Sequence, residues 1–103
     1  MDNNVVNRIK EAVSAVDSTA EVWLYGSRAR GDARGDSDWD VLVLSNKDRL
    51  TTMEEGAFID RMTEVIVETG QVIQLFAYGR KDWHTRHSVT PFYHNVQHDA
   101  IRL

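Results

Sequence analysis

The chain has 103 residues, 42% of them hydrophobic and 27% charged, with a formal net charge of -4 and no cysteine. That length holds one core, so residues 1–103 are expected to form a single domain. The acidic balance excludes a broad basic face for nucleic acid, and the missing cysteines exclude a disulfide framework and thiolate chemistry.

Val5, Val6, Ile9, Ala12, Val13 and Val16 recur at helical spacing. They predict an amphipathic helix over 3–16, capped by Asn3 or Asn4. Glu21-Val22-Trp23-Leu24-Tyr25 is β-prone and ends at Gly26. Residues 27–32 suit a short helical piece, and 33–37 read as loop. Asp40-Val41-Leu42-Val43-Leu44 is nearly all apolar, as in a central strand covered on both faces. The link from the first strand is about a dozen residues long, which leaves either strand orientation open.

Thr51-x-x-Glu54 gives a capping box. Leu50, Ala57, Phe58, Met62, Val65 and Ile66 then form the apolar face of a helix ending near Thr69, with Gly70 beyond its end. Residues 72–78 predict a third strand and 81–87 a short helix. Thr90-Pro91 opens a last helix running to about His98. Ile101-Arg102-Leu103 suits a short terminal strand or a frayed end. The order predicts an α/β (α+β) fold, a small mixed sheet flanked by helices.

No apolar run reaches the roughly 18 residues of a membrane span. Met1-Asp2-Asn3-Asn4 carries neither a basic nor an apolar leader, so a cytoplasmic address is expected.

Gly26 stands where a strand must turn. Without a Cβ it tolerates positive φ and lets a phosphate approach the backbone. Ser27 adds a hydroxyl, and a following helical turn would point free N–H groups at an anion. Arg28 and Arg30 add positive charge nearby. A plain strand-to-helix turn with a capping serine explains the same residues.

Asp38 and Asp40 are two residues apart at a strand start, so they share one face and Trp39 takes the other. Two such charges suit a cation between them, and Mg²⁺ takes oxygen ligands of this kind together with phosphate. The alternative is that they are loop aspartates, which Asp32 and Asp36 resemble more closely.

Gly26-Ser27-Arg28-Ala29-Arg30-Gly31 followed by Ser37-Asp38-Trp39-Asp40-Val41-Leu42-Val43 closely resembles the signature of minimal nucleotidyltransferases. These belong to the DNA polymerase beta-like nucleotidyltransferase superfamily. The resemblance implies transfer of a nucleoside monophosphate, typically AMP from ATP, to an acceptor hydroxyl, with release of pyrophosphate. It implies that Gly26 and Ser27 bind the triphosphate, that Asp38 and Asp40 are the catalytic pair and hold Mg²⁺, and that Arg30 contacts phosphate or braces the loop. One departure stands out. The superfamily usually supplies a third carboxylate from a later strand, and here Gln74 or Gln71 falls in that region. An amide cannot act as a base. Glu68 offers a substitute, although its place at a helix end explains it more simply. The resemblance also implies an antitoxin-like role beside a HEPN-type helical partner, and a single short domain with no second one to supply a substrate site favours a partner chain or a homodimer. The other reading is a degenerate module that binds a nucleotide or a partner without efficient catalysis.

His84 with His87, and His94 with His98, have helical spacings that could hold zinc, but no cysteine joins them and surface histidines are the simpler reading. Arg34-Gly35-Asp36 spells an adhesion tripeptide by accident. Trp83, Phe92 and Tyr93 are expected to pack rather than stack bases.

Overall fold

The computed structural model describes residues 2–103. Its elements are α1 (Asn3–Val16), β1 (Glu21–Tyr25), α2 (Gly26–Arg30), β2 (Trp39–Ser45), α3 (Thr52–Thr69), β3 (Ile73–Gly79), α4 (Arg80–Thr85), α5 (Pro91–Asp99) and β4 (Ile101–Arg102). No described helix is long and apolar enough to cross a membrane.

The expected elements are all present, with small shifts at their ends. The cap of α1 is Asp2, whose Oδ1 accepts from the Asn4 and Val5 amides. Asn3 and Asn4, the two expected caps, are both already inside the helix. A cap side chain must stand before the first turn to reach the amides two and three residues on. Thr51 and Glu54 form the full capping box on α3. The α2 segment starts one residue early, at Gly26, and no side chain caps it.

The four strands lie in the order β3-β2-β1-β4. β2 runs antiparallel to β1 and parallel to β3, so the sheet is mixed. The short link through α2 serves the antiparallel pair, while α3 provides the longer crossover that a parallel pair needs. The terminal residues do form a strand, pairing Trp23 with Arg102 and Leu24 with Ile101.

β2 is the spine of the molecule, and six of its seven residues are buried. Its odd positions Trp39, Val41 and Val43 face a core shared with Ile9 and Val13 of α1 and with Phe58, Met62 and Val65 of α3. Its even positions Leu42 and Leu44 face a second cluster with Trp83 of α4 and Val96 of α5. The continuous apolar run follows from this, since helices cover both faces. The exception is Asp40, which is only partly buried at the N-terminal end of the strand. Trp23, Tyr25, Tyr78, Phe92 and Tyr93 flank the second cluster, so the aromatic residues of α4 and α5 do pack, as expected.

Candidate active site

The site is built where β1 ends and β2 begins. Antiparallel pairing sets Tyr25 beside Asp40, and the next residue, Gly26, turns the chain away with φ of 74°. A Cβ built on Gly26 would lie 2.3 Å from Oδ2 of Asp40. The glycine is therefore demanded twice, by its backbone conformation and by the carboxylate lying against it. The motif glycine and the second motif aspartate are in direct contact.

Asp38 stands just before β2. On the other side of β2, parallel pairing sets Gln74 beside Asp40. The Gln74 amide Nε2 donates to Oδ2 of Asp38 at 2.8 Å. Gln74 thus reaches the aspartate pair from the later strand, in the region where the resemblance calls for a third acid. Gln71 does not. Its Oε1 accepts from Trp39 Nε1 at 3.1 Å on the opposite face. Glu68 is also elsewhere, held by Arg8 across the α1–α3 contact, and that arginine pulls its carboxyl below the usual range.

Desolvation pushes the Asp40 carboxyl above its ordinary value, and the Asp38 charge adds to the effect, while Arg30 opposes it. Burial, then Asp40, raises the Tyr25 hydroxyl well above the ordinary tyrosine value. The end of the sheet thus gathers negative charge in a half-dry setting. That is the condition in which a cation gains most from binding.

The two motif arginines are both engaged within the protein. Arg28 donates from Nε and Nη2 to the Ser37 carbonyl at 3.2 and 2.8 Å, and its guanidinium lies 4.2 Å from the centre of the Trp39 ring. Arg30 pairs with Asp99 of α5 at 2.9 Å and with Asp32 at 3.3 Å, which ties α2 to the last helix. Sequence reasoning missed Trp39 as the shelf under Arg28 and Asp99 as the anchor of Arg30. Alternation placed the Trp39 ring opposite the aspartates, but nothing local linked it to Arg28. The Asp99 contact spans 69 positions and leaves no local signal.

The histidines are not brought together into a group of three metal-ligating side chains. His84 bonds to the Tyr93 hydroxyl, His87 packs against Tyr78 and His98 bonds to Asp99. Among the described residues no three His, Cys, Asp or Glu side chains are set to hold a metal, so the aspartate pair stands as a pair. A cavity of about 520 Å³ opens at the other end of β2, between Val16, Ser45, Lys47, Leu50 and Phe58, and includes none of the motif residues.

A family model described as a nucleotidyltransferase domain matches residues 6–87. The chain belongs to the nucleotidyltransferase domain family. A solved structure, a toxin–antitoxin crystallised with AMP-PNP, shares the fold of this nucleotidyltransferase domain. Its TM-score is 0.65 at 14% identity, covering 93% of this chain and 69% of that one. No curated protein matches the domain.

Proposed function

We propose that residues 1–103 act as one Mg²⁺-dependent nucleotidyltransferase domain, transferring AMP from ATP to a hydroxyl on a partner protein or small molecule. The observation that carries this is the contact of Gly26 with Asp40, with Asp38 alongside. It joins the two halves of the motif in one place. The donor set fits the ion: Mg²⁺ usually takes one or two carboxylates and completes its shell with phosphate oxygens and water. Asp38 and Asp40 would hold it, and when bound it supplies positive charge that neutralises and orients the triphosphate.

The chain's own residues do the rest. The Gly26-Ser27 turn offers a backbone unobstructed by a side chain to the phosphates. The acceptor oxygen bonds to the α-phosphorus, the α–β phosphoanhydride breaks and pyrophosphate leaves. The acceptor proton passes to water or to a carboxylate oxygen of the pair, because Gln74 accepts none.

Gln74 favours the second reading, a binding module of the antitoxin type that acts on a helical HEPN-type partner with little turnover. Its amide donates to Asp38 where an acid would hold a second cation. The nearby fold of a toxin–antitoxin complex with AMP-PNP supports both a nucleotide and a protein partner. A cytoplasmic location and a homodimer belong to the same proposal.

The readings separate in one experiment. The chain is incubated with Mg²⁺, ATP labelled at the α-phosphate and a lysate of the source cell. Label transfer that disappears in the D38A/D40A double variant supports the enzyme. ATP binding without transfer, in a folded protein, supports the binding module.

A further inference from the structure

The Arg28 side chain is held by three separate features. Nε and Nη2 both donate to the Ser37 carbonyl, Nη2 also reaches the Gly35 carbonyl at 3.4 Å, and the guanidinium carbon lies over the Trp39 ring, 4.2 Å from its centre. Trp39 is fully buried and its indole N–H is fixed by Gln71. The loop also holds itself, through Ser37 N to Arg34 O at 3.0 Å and Arg34 N to Ser37 Oγ at 2.8 Å. Arg28 therefore clamps the last loop residue before Asp38 onto a rigid core ring. A planar fork that lies on an aromatic face while its N–H groups grip a carbonyl is specific to arginine.

We propose that Arg28 is a positioning residue: it fixes the loop over 31–38 and so sets where Asp38 and Asp40 present their carboxylates to a divalent cation. The proposal rests on the nucleotidyltransferase reading of the site, and it takes Arg28 away from direct duty on the triphosphate. Positioning groups of this kind govern affinity because the ligands must be held before the ion arrives.

The sign of the effect separates this role from charge alone. Arg28 is a cation held against the Ser37 carbonyl, one residue before Asp38. By Coulomb's law its removal should raise the affinity for a divalent ion. By positioning, its removal should lower that affinity. A triphosphate ligand would do neither, and its loss would weaken nucleotide binding while sparing the metal.

The test titrates Mn²⁺ alone into the full chain, without nucleotide, following the free ion by electron paramagnetic resonance. In R28A the affinity is expected to fall about tenfold, the scale of an outer ligand-orienting contact. R28K keeps the charge but not the planar fork, and its affinity is expected to fall as well. R61A removes a distant surface arginine of α3 and serves as the control. Unchanged or tighter Mn²⁺ binding by R28A or R28K overturns the proposal. Hydrogen exchange gives an arm that needs no metal. In either variant the Arg34 and Ser37 amides should exchange faster, while those of Val41–Leu44 stay protected. Unchanged exchange at Arg34 and Ser37 overturns the proposal too. If the wild-type chain binds neither Mn²⁺ nor nucleotide, the functional reading fails, and the exchange arm still decides the role of Arg28.

Discussion

Gly26 and Asp40 show how closely backbone and charge are fitted at a single point. A methyl group added at Gly26 would be strained by the left-handed backbone already present and would collide with Oδ2 of Asp40. Gly31, with φ of 81°, has nothing within 4 Å of a built Cβ, so it meets the conformational cost alone. G31A should therefore lose about 1–2 kcal/mol of stability, and G26A more than that. The sharper difference is functional. G26A must displace the carboxylate and should lose Mn²⁺ binding, whereas G31A should keep it; calorimetric titration of both folded variants reads this directly. Asp40 carries a cost of the opposite kind. Its carboxyl is raised in the folded state, so the native protein holds that proton more tightly than the unfolded chain. Stability from this group is present at low pH and declines as pH rises from the ordinary aspartate value through the raised one. At neutral pH D40N should be the more stable protein by about 0.5–1 kcal/mol, after allowing for partial solvation. Its melting temperature should exceed that of wild type by a few degrees at pH 7 and converge with it in acid. No gain at pH 7 would show that Asp40 is well solvated.

Short elements depend on ties that only the fold reveals. α4 spans six residues, too few for a helix to hold itself. Trp83 anchors it in the second cluster, and Asp82 in its first turn accepts from Arg86 Nε and Nη2 at 2.7 and 3.0 Å. Those bonds, ahead of every other influence, hold the Asp82 carboxyl below its usual range, and its side chain is only 9% exposed. A depressed carboxylate stabilises above its unfolded value, and the contribution is lost as pH falls through the lower, folded value. D82N should therefore be less stable than wild type by about 1 kcal/mol at pH 7, since the arginine partner is solvent-exposed. The difference should shrink towards zero below the usual carboxylate range, read as melting temperature against pH. The sequence showed the helices and strands well because apolar spacing and caps are local: Thr51 with Glu54 and Thr90 with Pro91 mark their helix starts within four residues. It did not show whether β1 and β2 run parallel or antiparallel. That rests on how α2 and the loop over 31–38 fold back, a stretch tied by the contacts of Arg28 with Trp39 and of Arg30 with Asp99.

At the scale of the whole molecule the sheet divides the labour. One face holds the α1–α3 core through Trp39, Val41 and Val43, while the other carries Asp40 and Leu42 towards the aromatic cluster. The aspartate pair was legible because alternation along one strand is a local rule. Gln74 was legible only as one of two candidates, because its place depends on the β2–β3 register, in which Gln74 rather than Gln71 pairs with Asp40. Since β2 is the spine of both cores, a ligand that closes the charge at its N-terminal end should stabilise the entire fold. Binding to the native state alone adds RT ln(1 + [L]/Kd), about 2.7 kcal/mol at a hundredfold excess over Kd. For a domain of this length that shifts melting by roughly 10–20 °C. Wild type should show this shift with ATP and Mg²⁺ together and much less with ATP alone, because the triphosphate otherwise brings charge to an already acidic site. The D38A/D40A variant should show none. A full shift in that variant would place the nucleotide elsewhere on the molecule and remove the physical basis for assigning transfer to this pair.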